Sequence, residues 1–477
     1  METLYLSLAN KLEDLMQKGV FQAGDRLPSV RNLSHQHNVS VTTAVKAVRV
    51  LENRGLIDVR ERSGHFVSPR NSRFQSTFEQ EREKPVSQPN LVTPMELTQD
   101  MAVLNLGQVF PAGSAIPCDD YLPIRALQKS MKWATRNVRK TLDYGYPAKP
   151  EFQKAIAQRM ASLGVICGPD DVIATNGTQE ALVIALRAVT QPGDIVAIAV
   201  PAYPGILQAL QVAGLKVLEI PTHPSEGISI EGLKFAIQQW PVSACIVIGN
   251  HSNPMGITMS DAHKKALVEL LADADIPLIE DDVYGDLQHE GDRPAPIKAF
   301  DKTENVIYCN SFSKTLSPGL RSGWILPGRF ARAISTEKYF NNLASSSMTQ
   351  VVVAHLLREG GYEHHMRFVR HRYRSNTEQL RNLVRSHFPS DTEITRPDGG
   401  FIIWVKVPGS DSFELFKQCE RENIYIAPGR LFASANNYDD CFRLSASRPI
   451  DGRMEDAIKT IGRLQVGMLS HDSSEVS

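Results

Sequence analysis

Apolar residues recur at three- and four-residue intervals where the chain begins, at Leu4, Leu8, Leu12 and Leu15. That spacing predicts a helix with one buried face. Gly19 and Gly24 interrupt it. Ser29 then caps a second helix with Val30 and Leu33 inward, and Ser40 caps a third. In the third helix Val41, Ala44, Val45, Val48 and Leu51 are expected to pack inward, leaving Thr42, Thr43, Lys46 and Arg49 on the outer face. Residues 56–60 and 65–67 predict two strands joined by a turn at Ser63-Gly64.

From about residue 71 to residue 94 the chain is rich in Ser, Gln, Glu, Arg and Pro and sparse in apolar residues, so it is expected to be a linker, with helix conceivable over 74–83. Beyond it the period alternates. Short apolar runs at 171–175, 194–200, 216–220, 244–249, 277–280, 305–308 and 323–326 predict strands, and stretches such as 179–190 and 261–274 predict amphipathic helices between them. Buried strands separated by helices imply a mainly parallel sheet covered on both faces. Past residue 329 come long helices, a strand within 399–407 and a last helix after Asp451, which together predict a smaller α+β lobe. The expected division is 1–70 for the helical head, 71–94 for the linker and 95–477 for the α/β unit.

The 477 residues, 42% hydrophobic and 22% charged, are ample for more than one domain. A net charge of -1 argues against whole-chain attraction to nucleic acid or membrane, but residues 1–70 carry ten Lys/Arg against seven Asp/Glu, so the head is mildly basic. Hydroxyls and cations on the outer face of its third helix suit base edges and phosphates. Six scattered cysteines indicate neither a zinc site nor a disulfide framework, and fit a reducing cytoplasm. The start of the chain lacks the basic and apolar regions of a secretory signal, and no apolar run approaches a membrane span.

The most informative stretch follows the strand at 305–308. Ser311, Ser313, Lys314 and Arg321 lie at the carboxyl end of that strand, where open α/β sheets bind ligands. A lone lysine there is either a solvated loop cation or an amine held for Schiff-base chemistry. Two hydroxyls and a guanidinium beside it offer a phosphate site, and phosphate plus amine points to pyridoxal 5'-phosphate (PLP). Asn176-Gly177-Thr178, at a strand-to-helix turn, aims backbone N–H groups at an anion. Glu280, Asp281 and Asp282 end another strand, a costly grouping unless a cation lies near.

The Ser-x-Ser-Lys-x-x-x-x-x-x-Arg run resembles the lysine segment of fold-type I aminotransferases. By that resemblance Lys314 is the catalytic lysine, Gly177, Thr178 and Gln179 join Ser311, Ser313 and Arg321 around the phosphate, and Tyr203 of Pro-Ala-Tyr-Pro-Gly stacks on the ring. Asn253 of Asn-Pro-Met-Gly and Tyr284 would reach the ring phenolate, and Asp281, with Asp282 the weaker alternative, the ring nitrogen. Arg443 of Cys-Phe-Arg-Leu-Ser-Ala would clamp the carboxylate of an amino-compound substrate or effector. The stretch 143–153 departs from the family: Tyr144, the phosphate contact offered to a neighbouring subunit, is retained, but Lys149 stands where a glycine is usual and Gln153 where an arginine is.

The head, with Gly24-Asp-Arg-Leu-Pro-Ser-Val-Arg31 and residues 39–56, resembles the winged helix-turn-helix of GntR-type transcription factors, which implies DNA contacts at Arg31, Thr42, Thr43, Lys46, Arg49, Gly64 and His65. Both halves together resemble the MocR-type bacterial regulators. The fold class so implied is α/β: an N-terminal winged helix-turn-helix plus a PLP-dependent fold-type I aminotransferase-like domain with a small C-terminal α+β lobe. The resemblance further implies a cytoplasmic homodimer, in a family whose dimers are often head-to-tail and domain-swapped, nucleoid-associated when bound to double-stranded DNA. An amino compound reacting at Lys314 would modulate DNA binding; the alternative is a working aminotransferase with a 2-oxo acid acceptor, and slow transamination is compatible with either. No metal is implied.

Overall fold

A computed structural model describes residues 4–17, 21, 25–54, 56–60, 64–67, 86–91, 109–434 and 438–475. The head is built from α1 (Leu4–Gln17), α2 (Val30–Gln36), α3 (Val41–Asn53) and the antiparallel pair β1 (Ile57–Arg60) and β2 (Gly64–Val67). Both predicted caps form: Ser29 accepts from Asn32 N at 3.2 Å and Ser40 from Thr43 N at 3.0 Å. Each such cap stabilises its helix by about 1 kcal/mol. Leu8, Leu12, Leu33, Ala44, Val48 and Leu51 fill the space between the helices and the hairpin.

The inward set expected for α3 is corrected at two places. Val41 and Val45 are 52% and 42% exposed, while Ala47 takes a buried position. The buried stripe runs 44, 47, 48, 51, and Val45 lies a helical step of about 100° off that stripe. Val41 sits at the helix start, past the edge of the small core.

Most of the expected linker, including 74–83, and Ser63 in the expected wing turn lie outside the described residues. Within the described part, β3 (Asn90–Leu91) pairs antiparallel with the edge of the large sheet. An edge strand leaves N–H and C=O groups unpaired, and this segment covers them.

The large sheet has the order β3-β6-β5-β8-β9-β10-β11-β4, with β7 against β6. Its members are β4 (Ile173–Thr175), β5 (Ile195–Val200), β6 (Lys216–His223), β7 (Gly227–Ile228), β8 (Val242–Val247), β9 (Leu278–Asp281), β10 (Val306–Ser311) and β11 (Gly323–Leu326). Strands β6, β5, β8, β9 and β10 run parallel, and β11 is antiparallel to both of its neighbours. Strand residues on both faces are buried, as helices on each side require. A second sheet, β12 (Glu393–Ile394), β13 (Ile402–Lys406), β15 (Cys441–Ser445) and β14 (Ala427–Pro428), is antiparallel and packs with the long helix Gly361–His387 and the last helix Gly452–Glu475. Every parallel strand therefore ends on one edge, and the loops that leave β4, β5, β8, β9 and β10 meet there.

Candidate functional site

The turn after β4 and the loop after β10 face each other. Gly177 has φ +93°, and a Cβ on it would come within 2.7 Å of the Arg321 guanidinium, so only glycine lets the backbone approach so closely. Thr178 Oγ1 donates to or accepts from Ser311 Oγ at 3.0 Å, and Arg321 reaches Ser313 Oγ at 3.4 Å and the Asn176 carbonyl at 2.5 Å. Gly177, Thr178, Ser311, Ser313 and Arg321 are thus gathered around the N-terminus of the helix Thr178–Val189, whose free N–H groups and dipole favour an anion. Gln179 stands in the first turn of the same helix, its Nε2 donating to the Gly205 carbonyl at 2.7 Å. Glu180, which the sequence did not single out, accepts from Asn176 N at 2.6 Å and pairs with buried Lys338, and so holds the turn in place.

Lys314 Nζ donates to the Ala115 carbonyl at 2.7 Å and lies within electrostatic reach of Arg443, Asp281 and Arg321. Burial, and then the nearby Arg443, bring its amine down to about 8. On the far side stands Asp281, 1% exposed and raised to about 7, chiefly by burial. Its Oδ1 takes one backbone N–H, from Val283 at 3.2 Å. The neighbouring Asp282 has a different fate: it bonds Tyr308 Oη at 2.8 Å and Asn250 Nδ2 at 2.9 Å and pairs with Arg293. Asp282 is therefore a member of a buried ion network, and Asp281 is the carboxylate left over for a ligand.

Tyr203 and Asn253 line one small cavity, and Tyr284 lies close to both. Burial raises both phenols, and the Tyr284 hydroxyl is enclosed beside the Asn253 side chain. Arg443 Nη1 donates to Asn253 Oδ1 at 2.9 Å, and its Nε and Nη2 both reach the Gly113 carbonyl. Two backbone carbonyls, of Gly113 and Ala115, therefore occupy the cationic groups of the site. Neither was legible beforehand, since a carbonyl acceptor has no side-chain signature.

A planar ring with a phosphate fits these residues. The cradle at Gly177 offers room and donors for an anion, the adjacent Tyr284 hydroxyl and Asn253 amide offer polar groups suited to a ring oxygen, and a protonated ring nitrogen would neutralise Asp281. Tyr144 stands apart, 80% exposed on the surface. Lys149 and Gln153, the departures from family pattern, are structural: Lys149 pairs with Asp143 at 2.7 Å and Gln153 donates to the Val172 carbonyl at 3.2 Å.

On the head, Arg31, Thr42, Lys46 and Arg49 are exposed, and Gly64 and His65 are half-buried at the turn end of the β1–β2 hairpin. Thr43 is turned toward its cap, with Oγ1 2.8 Å from Ser40 Oγ. Exposed Val41 and Val45 join the outer face, giving it apolar surface suited to a thymine methyl. The expected inward set had counted both with the core.

Residues 4–67 match the family described as bacterial regulatory proteins, gntR family, and residues 112–461 match aminotransferase class I and II. The chain is 36% identical to YjiR, an uncharacterized HTH-type transcriptional regulator of Escherichia coli (strain K12), over 96% of this chain and 98% of that protein. A second regulator of the same organism, YdcR, also uncharacterized, is 33% identical over 96% and 98%. Among solved structures, the kynurenine aminotransferase of Pyrococcus horikoshii, in complex with PMP, superposes with a TM-score of 0.72 at 26% identity, covering 80% of this chain and 95% of that one.

Proposed function

The chain belongs to the aminotransferase class I and II family and carries a gntR-family head, the MocR arrangement of HTH-type regulators, and from that premise we infer that an amino compound arriving at Lys314 sets its grip on DNA. Its cofactor is PLP, which when bound supplies a carbonyl that condenses with amines and an electron-withdrawing ring.

The chain's own residues divide the work. Gly177, Thr178, Ser311, Ser313 and Arg321 bind the phosphate; Gln179, tied to Gly205, keeps the phosphate turn against the next loop. Asp281 holds a proton at the ring nitrogen, Tyr203 covers the ring, and Asn253 with Tyr284 orients its oxygen. Lys314, with a lowered amine, is the nucleophile and later the proton carrier. Arg443 takes the carboxylate of the incoming compound by a bidentate contact, exchanging the Gly113 carbonyl for it. On the head, Arg31, Thr42, Thr43, Lys46, Arg49, Gly64 and His65 meet double-stranded DNA.

The observation that carries the regulatory reading is the seating of the head directly on the small lobe of the α/β unit. Glu13 of α1 pairs with Arg54 at the end of α3 and with Arg396 of the lobe. An enzyme gains nothing from that contact; a regulator needs it. A homodimer is the working unit proposed: Leu142, Tyr144 and Phe340 are 75%, 80% and 80% exposed, large apolar side chains that a second subunit would cover. A cytoplasmic setting agrees with this, and among the described residues no helix is long and apolar enough to cross a membrane.

Titrating the PLP-loaded protein with amino acids, amines and polyamines, while following cofactor absorbance and operator binding together, tests the proposal. A compound that shifts the spectrum and changes DNA affinity supports regulation. The complete set Lys314, Asp281 and Arg443 also favours a second reading, transamination, and repeated release of a 2-oxo acid with no change in DNA affinity would establish that instead.

A further inference from the structure

We propose that residues 395–401 form a strap that couples the cofactor pocket to the seating of the head, with the Glu13–Arg396 ion pair as its outer catch. Its outer end is the junction between head and lobe. Glu13 is 5% exposed, and its carboxylate lies between two arginines, Arg54 Nη1 at 2.5 Å and Arg396, whose second nitrogen is 3.4 Å away. Arg385 of the long helix donates to the Arg54 carbonyl at 3.1 Å. Beside these contacts a cavity of about 370 Å³ separates Tyr5 and Val50 of the head from His371 and Arg374 of the lobe. The head is thus held by a few charged contacts around open space, a contact that can be made and broken without tearing a core.

The inner end of the strap is packed with no slack. A Cβ on Gly256, which closes the Asn253-Pro254-Met255-Gly256 turn, would collide with the Pro397 ring. One on Gly399 would overlap the buried His251 ring, and one on Gly400 would touch Tyr284 at 3.7 Å. Backbone bonds pin the segment between: His289 N donates to the Asp398 carbonyl at 2.8 Å, Gly400 N to the Leu287 carbonyl at 2.9 Å, and His289 Nε2 meets the Gly400 carbonyl at 2.8 Å. Tyr284 and the turn that carries Asn253, the two groups assigned to the ring oxygen, therefore both abut this strap, Tyr284 at Gly400 and Phe401 and the turn through Gly256 against Pro397. Close-packed groups transmit displacement instead of absorbing it. A shift of the Asn253–Gly256 turn on ligand binding is passed to Pro397, and one of Tyr284 to Gly400, and Arg396 is the residue beyond Pro397.

The strap rests on the regulatory reading only for what its movement accomplishes; the mechanical link is independent of it. Hydrogen exchange on the full-length protein, with and without PLP, reads it directly. Adding PLP is expected to change exchange at 395–401 and at α1 together. Arg396→Gln should raise α1 exchange about tenfold and make it indifferent to PLP, with the cofactor spectrum intact. Pro397→Gly should leave α1 protected but uncouple it from PLP. Unchanged α1 exchange in the wild type on PLP addition, or an Arg396→Gln protein that responds as the wild type does, overturns the proposal. If strap and α1 respond together while DNA affinity stays fixed under every ligand, the strap stands and the regulatory reading falls.

Discussion

The cofactor pocket and the junction beneath the head both bury charge, but in opposite senses. At the junction, Glu13 is held below its usual carboxylate range and Arg396 above its usual value; although burial opposes both charges, their mutual contact outweighs it. In the pocket, burial wins: Asp281 is raised to about 7 and Lys314 brought down to about 8. Charges in one region are complete within the chain, whereas in the other they wait for a partner from outside. A binding site is recognisable here by incompletely compensated charge, and an internal contact by its compensation.

The largest expected effect breaks the pocket alone. Lys314→Ala should abolish the visible absorbance of lysine-bound cofactor and every response of DNA binding to amines, while basal DNA binding persists; spectra and gel shifts of one preparation check both. Next comes the contrast between adjacent carboxylates. Asp282→Asn strips the buried Arg293 of a partner and should cost about 3–5 kcal/mol in denaturant unfolding. Asp281→Asn should cost the cofactor-free protein nothing, yet weaken PLP binding at least tenfold. Equal loss of stability in both variants would show that Asp281 is a structural group.

Much of the pocket was legible because its signals are local. The Gly177-Thr178 turn, the Ser311-x-Ser313-Lys314 run and the caps Ser29 and Ser40 each declare a backbone conformation or a hydrogen bond within a few residues. The junction was not legible, since Glu13 and Arg396 are 383 positions apart and a charged residue gives no sign of a distant partner. Lys264 and Lys338 mislead in a related way: both are fully buried, each bonded to side chains of other segments, where a lysine in a helix pattern suggests solvent. Val41 and Val45 fail for the opposite reason, being apolar residues set on an outer face whose use is contact with something else.

That outer face offers a control that should leave both regions untouched. Arg49→Ala is expected to weaken operator binding by about 1–3 kcal/mol if Arg49 reads a base, or to lower the salt slope by about 1 if it meets a phosphate. Cofactor spectrum and α1 exchange should match the wild type. A change in either would mean that the recognition helix also takes part in the junction.

The most direct comparison of the two regions is by acid, because they should answer it with opposite signs. Asp281 titrates higher in the folded, cofactor-free protein than in the unfolded chain, so between about pH 4 and 7 the folded state binds more protons and its stability falls as pH rises, by at most about 1.4 kcal/mol per pH unit. Asp281→Asn should remove that slope, and the difference between the two proteins isolates it from other titrating groups. Glu13 is depressed, so the seating of the head keeps its full contribution above the ordinary glutamate range and loses it as pH falls below about 4.5. Exchange at α1 should therefore rise only under acid, in a window where the pocket is at its most stable without cofactor. PLP supplies the missing positive charge beside Asp281, so loading the protein should flatten the first slope and leave the second as it was. A first slope that survives loading would mean that the ring nitrogen does not face Asp281.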